Sequence, residues 1–311
     1  MRPYYSLNTY LKDTYGEKIY KIALNAGLTC PNRDGRLDTR GCIFCSRGGS
    51  GDFASSLTDR SFKESIEEGK QRLSTKRTGT RFIAYFQAYT NTYGPLHYLE
   101  EIYREALNDT EIIGISIATR PDCLPTEVLV LLSRLKKEFP HKFIWVELGL
   151  QTIHEKTAEF IRRGYSLPCF EHALNALQTL DIPVIAHLIL GLPGESKEDM
   201  ISSVRYLNEK PVWGVKLQLL HILKETDLAE LYDKDPDHIC FFKDRDDYIS
   251  TVIDCIEHLR PDMVIHRVTG DAPKKLLIAP AWSANKRDVL NALHRQLKER
   301  NAFQGQLYGK E

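Results

Sequence analysis

Residues 143–151 read FIWVELGLQ, an almost unbroken run of aromatic and aliphatic residues with a single carboxylate, Glu147, near its middle. A short apolar run without polar alternation predicts a strand covered on both faces, as in a parallel sheet. Five runs of similar character surround it: KIYKIALNAG (18–27), RFIAYFQA (81–88), IIGISIAT (112–119), IPVIAHLILGL (182–192) and GVKLQLLHI (214–222). Amphipathic stretches lie between them. Leu96, Leu99, Ile102, Tyr103 and Ala106 recur at helical spacing, as do Val128, Leu131, Leu132 and Leu135. Six strands alternating with helices predict an α/β fold with right-handed crossovers. Within 143–151, Glu147 and Gln151 point the same way, since alternate strand residues share a face. A carboxylate facing a core is costly unless it is paired, so Glu147 is a candidate site residue.

The pattern changes after residue 222, where residues 225–247 hold nine acidic side chains against three basic ones. Beyond them a helix over about 245–258, a short strand DMVIHRV (262–268) and a helix over about 283–300 are expected. We divide the chain into an N-terminal extension (1–17), a core barrel (18–222) and an extension packed on it (223–311). The 42 basic residues balance 42 acidic ones, so nucleic-acid binding would rest on local patches. Two exist: residues 60–81 carry seven Lys or Arg against three Glu, and residues 274–300 carry seven against two acids. Each also fits an ordinary solvated helix face. No signal-peptide core and no apolar run of membrane-spanning length is present, so a cytoplasmic protein with reduced thiols and no membrane partner is expected.

Three of the seven cysteines gather in CPNRDGRLDTRGCIFCSRGG (30–49), at Cys30, Cys42 and Cys45. Pro31, Asn32, Asp34, Gly35 and Gly41 make this a loop, not core. A structural zinc site wants four ligands, so it would need a fourth from elsewhere. An iron–sulfur cubane on three thiolates leaves one iron open to a substrate or cofactor. Cys123, Cys169, Cys240 and Cys255 are scattered, and core or surface thiols describe them better.

With this loop following the first of six βα units, the chain resembles the radical S-adenosylmethionine (radical SAM) enzymes. Their usual spacing is Cys-x3-Cys-x2-Cys. The wider first gap here resembles the radical domain of the elongator catalytic subunit. The resemblance implies a partial (β/α)6 TIM-like barrel with a C-terminal α/β extension. It also implies a 4Fe–4S cluster on Cys30, Cys42 and Cys45, whose open iron binds S-adenosylmethionine, and an electron donor such as flavodoxin or ferredoxin. Reductive cleavage would then yield a 5′-deoxyadenosyl radical.

Further matches fall at strand ends, where a parallel barrel carries its site. Phe44 stands where relatives place an aromatic beside adenine. VELGLQTIHEKTAEFIRRGYS (146–166) resembles the fourth-strand block of coproporphyrinogen oxidases, which implies that Gln151 meets the ribose and Arg163 the cofactor carboxylate. Glu147 joins them on its strand. In AHLILGLPGES (186–196), Gly191 and Gly194 would admit a flat ligand, and His187 replaces the family's acid near the ribose. YFQAYTNTY (85–93) lacks the family's glycines, so Gln87, Tyr89 or Thr90 would take over the methionyl amine. Arg120 and Asp122 in ATRPDCLP fit either a structural ion pair or a substrate contact. Arg267 and Asp271 in HRVTGDAP would close over the barrel mouth.

The elongator-like branch points to tRNA, and to its wobble uridine side chain. The basic segments could meet phosphates, and Tyr85, Tyr89 and Tyr93 could stack a base. The alternatives are a radical enzyme acting on a small molecule (a tetrapyrrole or an amino-acid derivative) and a non-enzymatic zinc module. A methylthiotransferase would carry a second cysteine trio, which the sequence lacks.

Overall fold

The computed structural model describes residues 2–49, 54, 61–74 and 79–310. Of the basic residues in 60–81, Arg60, Lys76 and Arg77 lie outside the described residues. The strands are β1 (Tyr20–Leu24), β2 (Phe82–Phe86), β3 (Ile112–Thr119), β4 (Phe143–Gln151), β5 (Val184–Leu190), β6 (Gly214–Leu219), β7 (Ile222–Leu223), β8 (Val264–Arg267) and β9 (Leu277–Ala279). The helices are α1 (Leu7–Tyr15), α2 (Phe62–Ser74), α3 (Leu96–Asn108), α4 (Thr126–Glu138), α5 (Glu155–Phe160), α6 (Leu167–Thr179), α7 (Lys197–Asn208), α8 (Asp227–Lys234), α9 (Pro236–Ile239), α10 (Arg245–His258) and α11 (Lys286–Glu299).

Strands β1 to β6 and then β8 pair in that order, every pair parallel. The sheet curls into a half-barrel. The predicted parallel α/β barrel is there, with seven strands in the sheet where the sequence suggested six. The seventh is the short run expected at 262–268. Val264 and Ile265 are buried, and Gly214 pairs with Val264. A strand from the last third of the chain thereby covers what would be an open edge on β6. β1 and β8 are the two edges and do not pair with each other, so the barrel keeps a lateral seam.

The reading of 143–151 explains the layers. Ile144, Val146, Leu148 and Leu150 join the large outer core that also holds Leu132 and Leu135 of α4 and Leu174 and Leu177 of α6. Trp145 joins a second cluster with Leu11, Ile19, Ile83 and Ile185. Helix α1 therefore packs against that second set: Leu11 is buried there, and the Tyr10 ring meets Trp213 edge-on at 5.0 Å. The Ile265 N–H donates to the Tyr5 carbonyl at 2.8 Å, tying this segment to β8. Helix α7 starts at a capping box, in which Ser196 and Asp199 each accept from the other's backbone N–H. No helix among the described residues is long and apolar enough to cross a membrane.

Candidate functional site

The chain leaves β1 at Leu24 and enters the cysteine loop. The eleven residues between Cys30 and Cys42 fold back on themselves. The Arg33 and Leu37 N–H groups donate to the Cys30 and Pro31 carbonyls, both at 2.8 Å, and the Gly41 N–H closes the stem on the Asn32 carbonyl at 2.7 Å. The wide gap is thus absorbed in a self-bonded turn. The Cys45 N–H caps the Cys42 carbonyl at 3.0 Å. Asn32, buried, anchors the loop: its amide donates to the Arg162 carbonyl at 2.7 Å and touches Cys42 Sγ at 3.5 Å. Arg33 folds across Gly41 to hold the Cys45 and Ser46 carbonyls at 2.7 and 2.6 Å.

Gly41 has φ +81°, and a Cβ there would lie 2.8 Å from Arg33 Nε. We expect Gly41→Ala to cost about 1–3 kcal/mol, from the left-handed backbone and the displaced Arg33. A urea unfolding midpoint would measure it.

Arg120 connects the loop to the strand ends. Its guanidinium grips Asp122 with two bonds (2.9 and 2.8 Å), and its remaining nitrogen lies 3.9 Å from Cys30 Sγ. The pair left open by the sequence is therefore formed, and it stands beside a thiol. Arg120 and Arg163 both lie over the Tyr165 ring, at 4.9 and 5.0 Å. All five Arg163 donors are taken: by the carbonyls of Tyr165, Leu150 and Thr152, and by both carboxylate oxygens of Glu155. In this arrangement Arg163 shapes the turn after β4 and has no donor left for a carboxylate. Gln151, at the end of β4, has φ +66° and, among the described residues, a sealed side-chain oxygen without a hydrogen-bond partner. The Asn91 side-chain oxygen is sealed and unpartnered too. A strained residue with an orphaned acceptor at a strand end suits a ligand contact.

The other expected residues fall elsewhere. Phe44 packs with the cluster of Ile43, Ile161 and Leu192. What approaches Gly191 is the ring of Phe242, 2.8 Å from a built Cβ. Tyr89 donates its hydroxyl to the Arg47 carbonyl, and the buried Thr90 donates its N–H to the Thr29 carbonyl at 3.2 Å. The Gln87 N–H donates to the Leu24 carbonyl at 3.2 Å. Arg267 lies 3.9 Å from Asp271, which Lys286 holds at 2.5 Å.

Glu147 and His187 lie inside the barrel, in a network only partly foreseen. Glu147 is fully buried and accepts from Lys21 Nζ (2.6 Å), Ser116 Oγ (2.6 Å), His187 Nε2 (2.7 Å) and Lys216 Nζ. Four donors fill its acceptor sites. Burial works to raise the Glu147 pKa, but Lys21, Lys216 and His187 hold it well below the usual carboxylate range. Burial pushes Lys216 down to about 7, against the pull of Glu147. Burial and the Lys216 charge together push His187 down to about 4, so it is neutral and donates from Nε2. Lys21, Lys216 and Asn32 lie outside the residues the sequence singles out. A signal existed for the lysines: Lys216 is the lone charge in its apolar strand, as Glu147 is, and Lys21 stands in the apolar part of KIYKIALNAG.

The thiol loop fits a cluster. Burial, and then the neighbouring Cys45, push Cys42 up to about 12, so the thiol is protonated when free and binding iron would release its proton. Among the described residues no three Cys, His, Asp or Glu side chains already converge as ligands of one metal ion. A cubane asks less of them, because each thiolate binds a different iron.

Comparison with known proteins agrees with this architecture. Residues 37–207 match the model of the radical SAM superfamily, and residues 212–299 match that of its C-terminal domain. The first match includes Cys42 and Cys45 but begins after Cys30. An uncharacterised Bacillus subtilis protein, YtqA, is 41% identical over 98% of this chain and 92% of its own length. A Methanocaldococcus jannaschii tRNA uridine(34) acetyltransferase is 28% identical over 44% of this chain and 25% of its own. The structure of the archaeal Methanocaldococcus infernus Elp3, 15% identical, superposes with a TM-score of 0.67 over 92% of this chain; the chain spans 64% of that structure's length. With more than half its residues inside one family model, and with that family's curled parallel barrel, the chain belongs to the radical SAM superfamily, whose enzymes use a 4Fe–4S cluster and S-adenosylmethionine.

Proposed function

We propose that Cys30, Cys42 and Cys45 hold the cluster, and that the enzyme modifies the wobble uridine of tRNA. When bound, cluster and cofactor supply a 5′-deoxyadenosyl radical, driven by an electron from a flavodoxin- or ferredoxin-type donor. This chain's residues do the holding. The folded loop presents the thiols, Arg120 keeps a positive charge beside Cys30, and Gln151 offers its unpartnered oxygen to the nucleoside of the cofactor.

The observation that carries the chemistry is the meeting of the thiol loop with Arg120 at the strand ends. The tRNA reading draws on the partial likeness to a tRNA uridine(34) acetyltransferase. It also draws on the basic run near α11, where Lys274, Lys275, Arg287, Arg295, Lys298 and Arg300 are exposed. The other basic segment contributes less: Lys70, Arg72 and Arg81 are paired with Asp109, Glu68 and Glu17. The small-molecule reading keeps one specific observation of its own, a cavity at the barrel seam.

Reconstituted anaerobically, the protein should be brown and should release 5′-deoxyadenosine with dithionite and S-adenosylmethionine. Cells lacking the gene should lose one modified wobble uridine from their tRNA nucleosides. An unchanged nucleoside profile would favour the small-molecule substrate.

A further inference from the structure

A cavity of about 560 Å³ opens along the seam between the unpaired edges β1 and β8. Helix α2 contributes Gly69, Arg72 and Leu73 to its wall. From the strands it is lined by Lys21, Tyr85, Lys216, His266 and Arg267. The volume suits a small organic ligand.

The charges around it do not balance. Glu147 is one carboxylate shared by two lysines, Lys21 and Lys216. Among the described residues, Arg267 meets one acid, Asp271, which also lines the cavity, at 3.9 Å, and Asp271 is held more closely by Lys286 at 2.5 Å. The Arg267 guanidinium also reaches Gln218 Oε1 at 3.5 Å. Among the described residues, both ring nitrogens of His266 are sealed from water and have no hydrogen-bond partner. Three cationic side chains, Lys21, Lys216 and Arg267, against the carboxylates of Glu147 and Asp271, in a cavity of ligand size, call for an anion.

We propose that this seam is the binding site for the oxyanion head of a small acidic molecule, a carboxylate or a phosphoryl group, held by Arg267, Lys216 and Lys21. Arg267 offers the planar fork that such a group accepts, and the two ammonium groups add point charge. Glu147 is the positioning residue that keeps both lysines in place. The groups facing Lys216 are Lys21 on β1, Tyr85 on β2, Glu147 on β4, His187 on β5, and His266 and Arg267 on β8. Because burial lowers Lys216 to about 7, an anion binds best where Lys216 is protonated and binding takes up a proton above that pH. Binding here is independent of whether tRNA is the substrate.

The test uses the anaerobically reconstituted protein. Glutarate and glycerol 3-phosphate are titrated separately by calorimetry at constant ionic strength, with sodium chloride as the control. One or both should saturate at pH 6.5; the one that does identifies the head group. Affinity should fall about tenfold per pH unit above about 7.5. Arg267→Gln, at a half-exposed strand end, should weaken binding at least tenfold, and Lys216→Met should flatten the pH dependence. If neither anion saturates, or if Arg267→Gln binds as wild type does, the proposal is wrong. Should Lys216→Met not fold, Arg267→Gln and the wild-type pH profile decide by themselves.

Discussion

Cys42→Ala is expected to reduce both the iron–sulfur absorbance and the release of 5′-deoxyadenosine to background. Cys30→Ala and Cys45→Ala should do the same. The loop delivers these thiols from fixed positions: Gly41 is bonded to Asn32, Cys45 to Cys42, and Arg33 clamps the carbonyls beyond. Cys255, buried in the outer core, and Cys240, in the cluster around α8 and α9, are not placed to substitute. Cys255→Ser should therefore keep cluster and activity, with at most a stability cost. Anaerobic visible absorbance and iron content measure the first property, and chromatography of the nucleoside measures the second. A cluster that survives in any one of the three alanine variants would overturn the ligand assignment.

The second large effect is on stability. Glu147→Gln keeps the volume and removes the charge, leaving Lys21 and Lys216 inside the barrel with no carboxylate between them. Breaking a buried pair in this way costs about 3–5 kcal/mol, because an uncompensated charge stays in a poor solvent for it. Urea unfolding at pH 7 measures the loss. Adding Lys216→Met to Glu147→Gln should recover part of it, since the orphaned ammonium is removed with its partner. The sign of the pH dependence follows from the depressed Glu147 pKa. The stabilisation is fully present above the unfolded carboxyl's value, about 4.3, and is lost as pH falls toward the lower native value. The gap between wild type and Glu147→Gln should hold from about pH 5 to about pH 7, narrow in acid, and narrow again above about pH 7 as Lys216 loses its proton. A gap under about 1 kcal/mol at pH 7 would mean that water reaches the network.

The two effects concern different parts of one barrel. The thiol loop, Arg120 and Gln151 lie at the strand ends, while Glu147 and the lysines fill the interior. From the sequence they merged into one site, because Glu147 and Gln151 share a strand face. In three dimensions the bulge between Gly149 and Gln151 breaks that face. Gln151 turns to φ +66°, while Glu147 stays under its four donors. Arg163 shows the same limit. Its distance along the chain from Gln151 matched a known pattern, but which acceptors its five donors would find depends on how the turn after β4 closes.

The sequence by itself determined the alternation of strand and helix, a parallel α/β sheet and the three gathered thiols. Those features are written in short-range periods and spacings, which local chemistry reads without help. Only the tertiary structure decided that residues 264–267 complete the sheet, that α1 packs against Trp145, and that Lys21, Glu147 and Lys216 meet. The reason is the curl of the sheet. It brings strands 126 and 69 residues from Glu147 along the chain into contact across the interior, and pairings at that range leave no local mark.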